Sequence, residues 1–233
     1  MLHVNNLSKD FTLFNGGDFN HGEAKIPVFR NINFKLLPGD CVALVGESGS
    51  GKSTFMRMIY ANYLCSNGSI NIKHGDQWFD LVTASPHQIL KIRSLSLGYV
   101  SQFLRVIPRV PTLEIVAEPL TRLGTNKDEA LEKAKSLLER LRIPSHLWNL
   151  SPLTFSGGEQ QRVNIARGFI HDYPIMLLDE PTASLDAQNR QTVLELIEEA
   201  KTNGAAILGI FHDHEARDAV CNRILDVTDY RAN

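Results

Sequence analysis

Cys41-Val42-Ala43-Leu44-Val45-Gly46-Glu47-Ser48-Gly49-Ser50-Gly51-Lys52-Ser53-Thr54 decides the fold of this chain. Its first five residues are a continuous apolar run, which suits a strand buried on both faces of a parallel sheet. Residues 46 to 54 then match G-x-x-x-x-G-K-[ST]. The glycines permit left-handed backbone and close approach, so the N–H groups of Gly46, Glu47, Ser48, Gly49, Ser50 and Gly51 can turn inward onto phosphate oxygens. Lys52 adds a point charge suited to β and γ phosphates, and Ser53 or Thr54 a hydroxyl beside them, Ser53 being the expected Mg²⁺ ligand. A helix from Lys52 to Tyr60 would point its positive end at the anion. The competing reading is an ordinary Gly/Ser turn; the strand before it and the helix after it argue against that.

Downstream, Ile175 to Leu178 and Ala206 to Phe211 repeat the buried-strand character. Between them Val193, Leu196, Ile197 and Ala200 recur at helical spacing, and Gly204 can end that helix in the left-handed conformation. Strand, helix, strand at this spacing is a βαβ unit. The first of these strands ends in Asp179 and Glu180. Asp179 is placed to hold Mg²⁺ through its water shell, and Glu180 to act as general base on an attacking water. Alone, such a pair is more often a solvated turn.

Phe155-Ser156-Gly157-Gly158-Glu159-Gln160-Gln161-Arg162 stands between the loop and the acidic pair. Ser156 and Glu159 form an S-x-x-E capping box. Gly157 and Gly158 weaken a helix, so their presence favours backbone approach by a phosphate over capping alone. Gln102 closes a short β-rich run and is read as a ligand of Mg²⁺ and the water, at the hinge of a helical insertion. His212 ends the last apolar strand and is read as a γ-phosphate sensor; a metal pair with His214 is the weaker alternative. Phe11 is the candidate adenine platform, with Phe14 as its competitor and simple packing as the bland reading.

The remaining sequence sets bounds. The chain has 233 residues, net charge −2 and 43% hydrophobic residues. That is one large domain or two small lobes, with no basic field for nucleic acid. Cys41, Cys65 and Cys221 are odd in number and lack C-x-x-C spacing, so they read as free thiols in a reducing, cytoplasmic setting. No apolar run approaches the roughly 18 residues needed to span a bilayer, so no direct membrane insertion is expected. Leu2 to Leu7 and Ile26 to Leu37 read as an antiparallel edge layer, joined through the turn-rich Asn15 to Lys25 tip. Leu131, Ala134, Leu138 and Leu141 mark one helix face, with Asn126 and Glu129 as its cap pair. The expectation is one α/β domain over 1–233, with a core at about 1–102 and 156–233 and a helical subdomain at about 103–155.

In this order the motifs resemble the ATP-binding cassette (ABC) ATPase family across essentially the whole chain. The resemblance implies a P-loop NTPase with a parallel-sheet core, an antiparallel β layer and a helical insertion subdomain, binding ATP and Mg²⁺. It implies a second cassette as partner, either another copy or a paralogue, whose phosphate loop would face Ser156, Gly157 and Gly158. The Ser184 to Asp186 segment would communicate across that interface, with Asp186 at the nucleotide. Tyr60 to Leu64, His74 to Val82, Ser101 to Arg109 and Arg162 to Pro174 are similar, more narrowly, to the PhnL group of ABC subunits from bacterial carbon–phosphorus lyase systems. That likeness implies lyase core subunits as partners and an accessory role in making α-D-ribose 1-methylphosphonate 5-triphosphate. The alternatives are the ATPase subunit of a membrane transporter and an ATP-gated scaffold. The strip from Phe103 to Arg109 would be the docking element.

Overall fold

A computed structural model describes residues 1–13 and 24–232. Phe14 and most of the Asn15 to Lys25 tip lie outside the described residues. Strand β3 (Cys41–Val45) shows how the chain is layered. Its side chains alternate between two buried clusters, Cys41 and Ala43 in one, Val42 and Leu44 in the other. Strands β7 (Ile175–Asp179) and β8 (Ala206–Ile210) divide in the same way, which is why all three read as unbroken apolar runs. With β6 (Leu97–Val100) and β9 (Arg223–Asp226) they form a five-stranded parallel sheet in the order β6-β7-β8-β3-β9.

One face of that sheet packs on helix α1 (Lys52–Ile59) and a second, antiparallel sheet. The second sheet has the order β2-β1-β4-β5, built from β1 (Leu2–Leu13), β2 (Ala24–Leu36), β4 (Asn67–His74) and β5 (Gln77–Asp80). β1 and β2 form the expected antiparallel edge layer. β4 and β5 enlarge it and had not been expected as strands.

The other face carries the helices. α3 (Thr112–Arg122) and α4 (Lys127–Arg140) lie in the stretch expected to be a helical insertion, and α5 (Gly157–Phe169) and α6 (Ala187–Thr202) follow it. The buried stripe of α4 is Ala130, Ala134 and Leu138, with Leu141 just beyond. Leu131 is only partly buried at the edge of that stripe, so the expected face is rotated by one position. The α4 cap also differs: Asn126 accepts from the Asp128 N–H, while Glu129 reaches outward to Lys133. Gly204 adopts φ +88° after α6.

Two elements close the chain's gaps. α2 (Pro86–Leu95) starts with a Ser85/Gln88 capping box and Pro86 at its first position. α7 (His214–Val220) is capped by Asp213. It brings Cys221 to 3.5 Å from Cys41, Sγ to Sγ, so two of the three scattered thiols are neighbours in space.

Helix α5 lies close on β6 because Gly168 has no side chain. A Cβ there would sit 2.3 Å from Cγ2 of Val100. Gly168→Ala is therefore expected to destabilise the chain by about 1–3 kcal/mol, the usual range for overpacking. An unchanged urea midpoint would show that the contact can relax.

Candidate nucleotide site

The site gathers where β3, β7 and β8 end. After β3 the chain enters the loop with Gly46 at φ +137° and Gly51 at φ +99°. These positions admit no other residue easily. A Cβ at Gly46 would lie 2.7 Å from Ser50 Oγ, and one at Gly51 2.7 Å from Val28 Cγ1. Gly51 is the N-cap of α1 and supplies no side chain to it, so the first-turn N–H groups lack a side-chain cap. Lys52 Nζ donates to the carbonyls of Gly46 and Glu47, both at 2.8 Å, which holds the ammonium across the loop mouth. Ser50 Oγ is buried and has no hydrogen-bond partner. An uncapped helix start, a poised ammonium and an orphaned hydroxyl in one loop suit a phosphate chain.

Asp179, the last residue of β7, is 4% exposed and accepts a hydrogen bond from the Tyr99 hydroxyl at 3.1 Å. Burial pushes its carboxyl above the ordinary range, although the Tyr99 bond opposes this and the neighbouring Glu180 charge adds to it. Its ionised form is thus a burden on the fold at neutral pH, relieved as pH falls. A divalent cation beside it would offset the same burden. Glu180 has left-handed backbone, φ +56°, which is rare outside glycine and marks strained functional turns. Its carboxylate accepts from Gln102 Nε2 at 3.2 Å and from His212 Nε2 at 2.7 Å. Three residues picked from distant stretches thus meet at one carboxylate.

Two side chains not singled out in the sequence hold this turn. Gln161 Nε2 donates to the carbonyls of Glu180 and Pro181, and Asn164 Nδ2 to the carbonyl of Ser101, next to Gln102. Both are nearly buried on one face of α5. Polar residues three apart on a buried face were the available signal.

At the start of α5, Ser156 Oγ accepts from the Glu159 N–H, and Glu159 Oε2 accepts from the Ser156 N–H and hydroxyl. Those Ser156 bonds hold the Glu159 carboxyl below its ordinary range. The two glycines differ. A Cβ at Gly157 would meet open space, whereas one at Gly158 would lie 3.0 Å from the Ser184 carbonyl. Gly158 thus has a reason inside this chain, and only Gly157 is left with no internal constraint. Asp186 is engaged internally: both carboxylate oxygens accept from Asn189 at the start of α6.

Phe11 packs edge-on against Tyr63 at 5.5 Å, and Lys9 Nζ stands 4.7 Å from its ring centroid. Those neighbours favour the packing reading. Among the described residues no group of three or more metal-ligating side chains occurs, so His212 and His214 have no further partner for a metal. No helix among the described residues is long and apolar enough to cross a membrane.

Comparison with known proteins agrees with this geometry. The chain is 35% identical over 212 residues to the macrolide export ATP-binding/permease protein MacB of Aggregatibacter actinomycetemcomitans, covering 91% of this chain and 32% of that protein. It thus spans about a third of such relatives. It is 34% identical to the lipoprotein-releasing system ATP-binding protein LolD of Shewanella frigidimarina, covering 92% of this chain and 85% of that one. Among solved structures, the dimeric ATP-binding cassette MJ0796 in a post-hydrolysis state with ADP and Pi superposes with TM-score 0.84. Its identity is 27%, over 97% of this chain and 94% of that one. The family profile described as ABC transporter matches residues 29–183, phosphate loop through acidic turn. By that match, and by relatives aligned over nine-tenths of its length, the chain is a member of the ABC transporter family, an ATP-binding ABC ATPase.

Proposed function

We propose that this chain is the ATP-hydrolysing cassette of a multi-subunit machine and works as one of a facing pair. The observation that carries this is the Glu180 carboxylate held by Gln102 and His212 at the end of β7. In this reading Glu180 takes the proton of the attacking water, and His212 fixes its carboxylate and senses the γ-phosphate. Ser53, Gln102 and Asp179 hold Mg²⁺, and Gly46 to Thr54 cradle the phosphates. Ser156, Gly157 and Gly158 close over the nucleotide of the facing cassette. The open space beyond Gly157 supports that closure. Asp186 sets the α6 start behind it. MJ0796, solved as a dimer, supports the pairing.

In this reading adenine would stack on Phe11 in addition to its packing against Tyr63 and Lys9. Phe11→Ala is expected to weaken ATP binding by about 1–3 kcal/mol, by analogy with base stacking. If Phe14→Ala carries that loss instead, the platform is Phe14.

Two kinds of machine fit. The relatives named for macrolide export and lipoprotein release support the ATPase subunit of a membrane transporter, and they favour it over any other partner. At 34–35% identity those relatives are named for different cargoes, so the cargo does not follow from them. The second machine is the carbon–phosphorus lyase assembly, which rests on the sequence likeness alone. Leu64, Trp78, Phe103 and Ile107 fall in three of the stretches that resemble its ABC subunit. They are large apolar side chains left on the surface, Phe103 and Ile107 at 70% and 75% exposure. Phe103 and Ile107 fit the docking strip read at 103–109, which would serve either machine. Affinity purification from cytosolic and membrane fractions separates the two. Recovery of an integral permease supports the transporter, and recovery of lyase subunits supports the lyase assembly. Recovery of neither, with normal ATP turnover by the isolated chain, counts against a machine subunit.

A further inference from the structure

A cavity of about 260 Å³ lies along the outer edge of β6, away from the phosphate loop. β6 is the edge strand of the parallel sheet, so no strand covers that side of its backbone. Three guanidiniums line the cavity, those of Arg93, Arg122 and Arg167, against a single carboxylate, Glu118. Three cations less one anion leave two positive charges over.

The arginines are held in place by this chain. Arg93 donates through Nε and Nη2 to the Tyr60 carbonyl and through Nη2 to Asn62, and its guanidinium lies 4.3 Å from the Tyr60 ring centroid. Arg122 and Arg167 approach opposite oxygens of Glu118, each through Nη2. A guanidinium has five N–H donors in a planar fork. One carboxylate therefore fixes the orientation of Arg122 and Arg167 and leaves most of their donors unused. Arg93 and Arg167 are partly buried and Arg122 is exposed, and oriented forks with spare donors are the arrangement that recognises tetrahedral oxyanions.

We propose that this cavity is a binding site for a small oxyanion of the phosphate or phosphonate class, held by Arg93, Arg122 and Arg167. It is distinct from the nucleotide site, but one residue joins them. Tyr99 lines the cavity, and its hydroxyl holds Asp179. The proposal does not depend on which machine the cassette serves.

Isothermal titration of the full chain tests it, with the nucleotide site saturated by a non-hydrolysable ATP analogue and Mg²⁺. The phosphate loop is then not the site being read. Inorganic phosphate and methylphosphonate are titrated separately, and the tighter of the two identifies the source of the ligand. The expected result is saturable binding, weakened at least about tenfold by Arg122→Gln, the lower end for a lost charge-assisted bond. Arg167→Lys keeps the charge, removes the fork, and should weaken binding as well. Nucleotide affinity in both variants should match the unsubstituted chain. Absence of binding by either anion, or unchanged affinity in both variants, would overturn the proposal.

Discussion

Glu180→Gln is expected to keep ATP affinity and to slow turnover about 10²–10⁴-fold, the usual worth of a general base. The substitution suits the site's geometry. The Gln oxygen can still accept from His212, and its amide group can face Gln102, whose own amide can turn to present oxygen. The left-handed backbone at position 180 stays the same, so the site keeps its shape and loses only its proton acceptor. With hydrolysis blocked, the ATP-bound pair should accumulate as a dimer. Steady-state phosphate release and size-exclusion chromatography with ATP check both. Unchanged hydrolysis would remove Glu180 from the role of base.

Lys52→Ala should act at the step before. The Lys52 ammonium is held by the Gly46 and Glu47 carbonyls at the loop mouth, already placed for a phosphate. Removing one partner of a desolvated charge pair costs about 2–5 kcal/mol, roughly a 30- to 4000-fold loss of ATP affinity. Fold should survive, because the loop's shape rests on Gly46, Gly51 and the start of α1. Nucleotide titration beside a thermal melt reads both. Normal affinity in a folded variant would rule out the loop as the phosphate site.

The two variants separate binding from chemistry, and both rest on residues legible in the sequence. The loop, the capping box and the acidic pair could be read because each is a local pattern whose chemistry is set by neighbours within a few residues. Other features depended on the chain's return path. Tyr99 meets Asp179 across 80 positions, and Cys41 meets Cys221 across 180. No spacing rule reaches that far. Helix α2 was a different kind of miss, since Ser85-Pro86-His87-Gln88 carries a cap and a first-turn proline in plain view. What hid it was the weak apolar stripe behind the cap: of its ten residues only Ile92 is buried. On α4 small alanines, Ala130 and Ala134, form the buried stripe and the larger Leu131 lies beside it, so size misled the reading of the face.

The Glu180 carboxylate ties together segments that differ in how firmly they are built in. Its bond to His212 measures 2.7 Å, while its bond to Gln102 measures 3.2 Å. A contact stretched to 3.6 Å no longer counts as a hydrogen bond, so the Gln102 side has a clearance of about 0.4 Å. Gln102 stands next to Phe103, where the exposed strip begins. If a partner docks on that strip as proposed, it acts on the residue next to the longer of the two contacts to the Glu180 carboxylate.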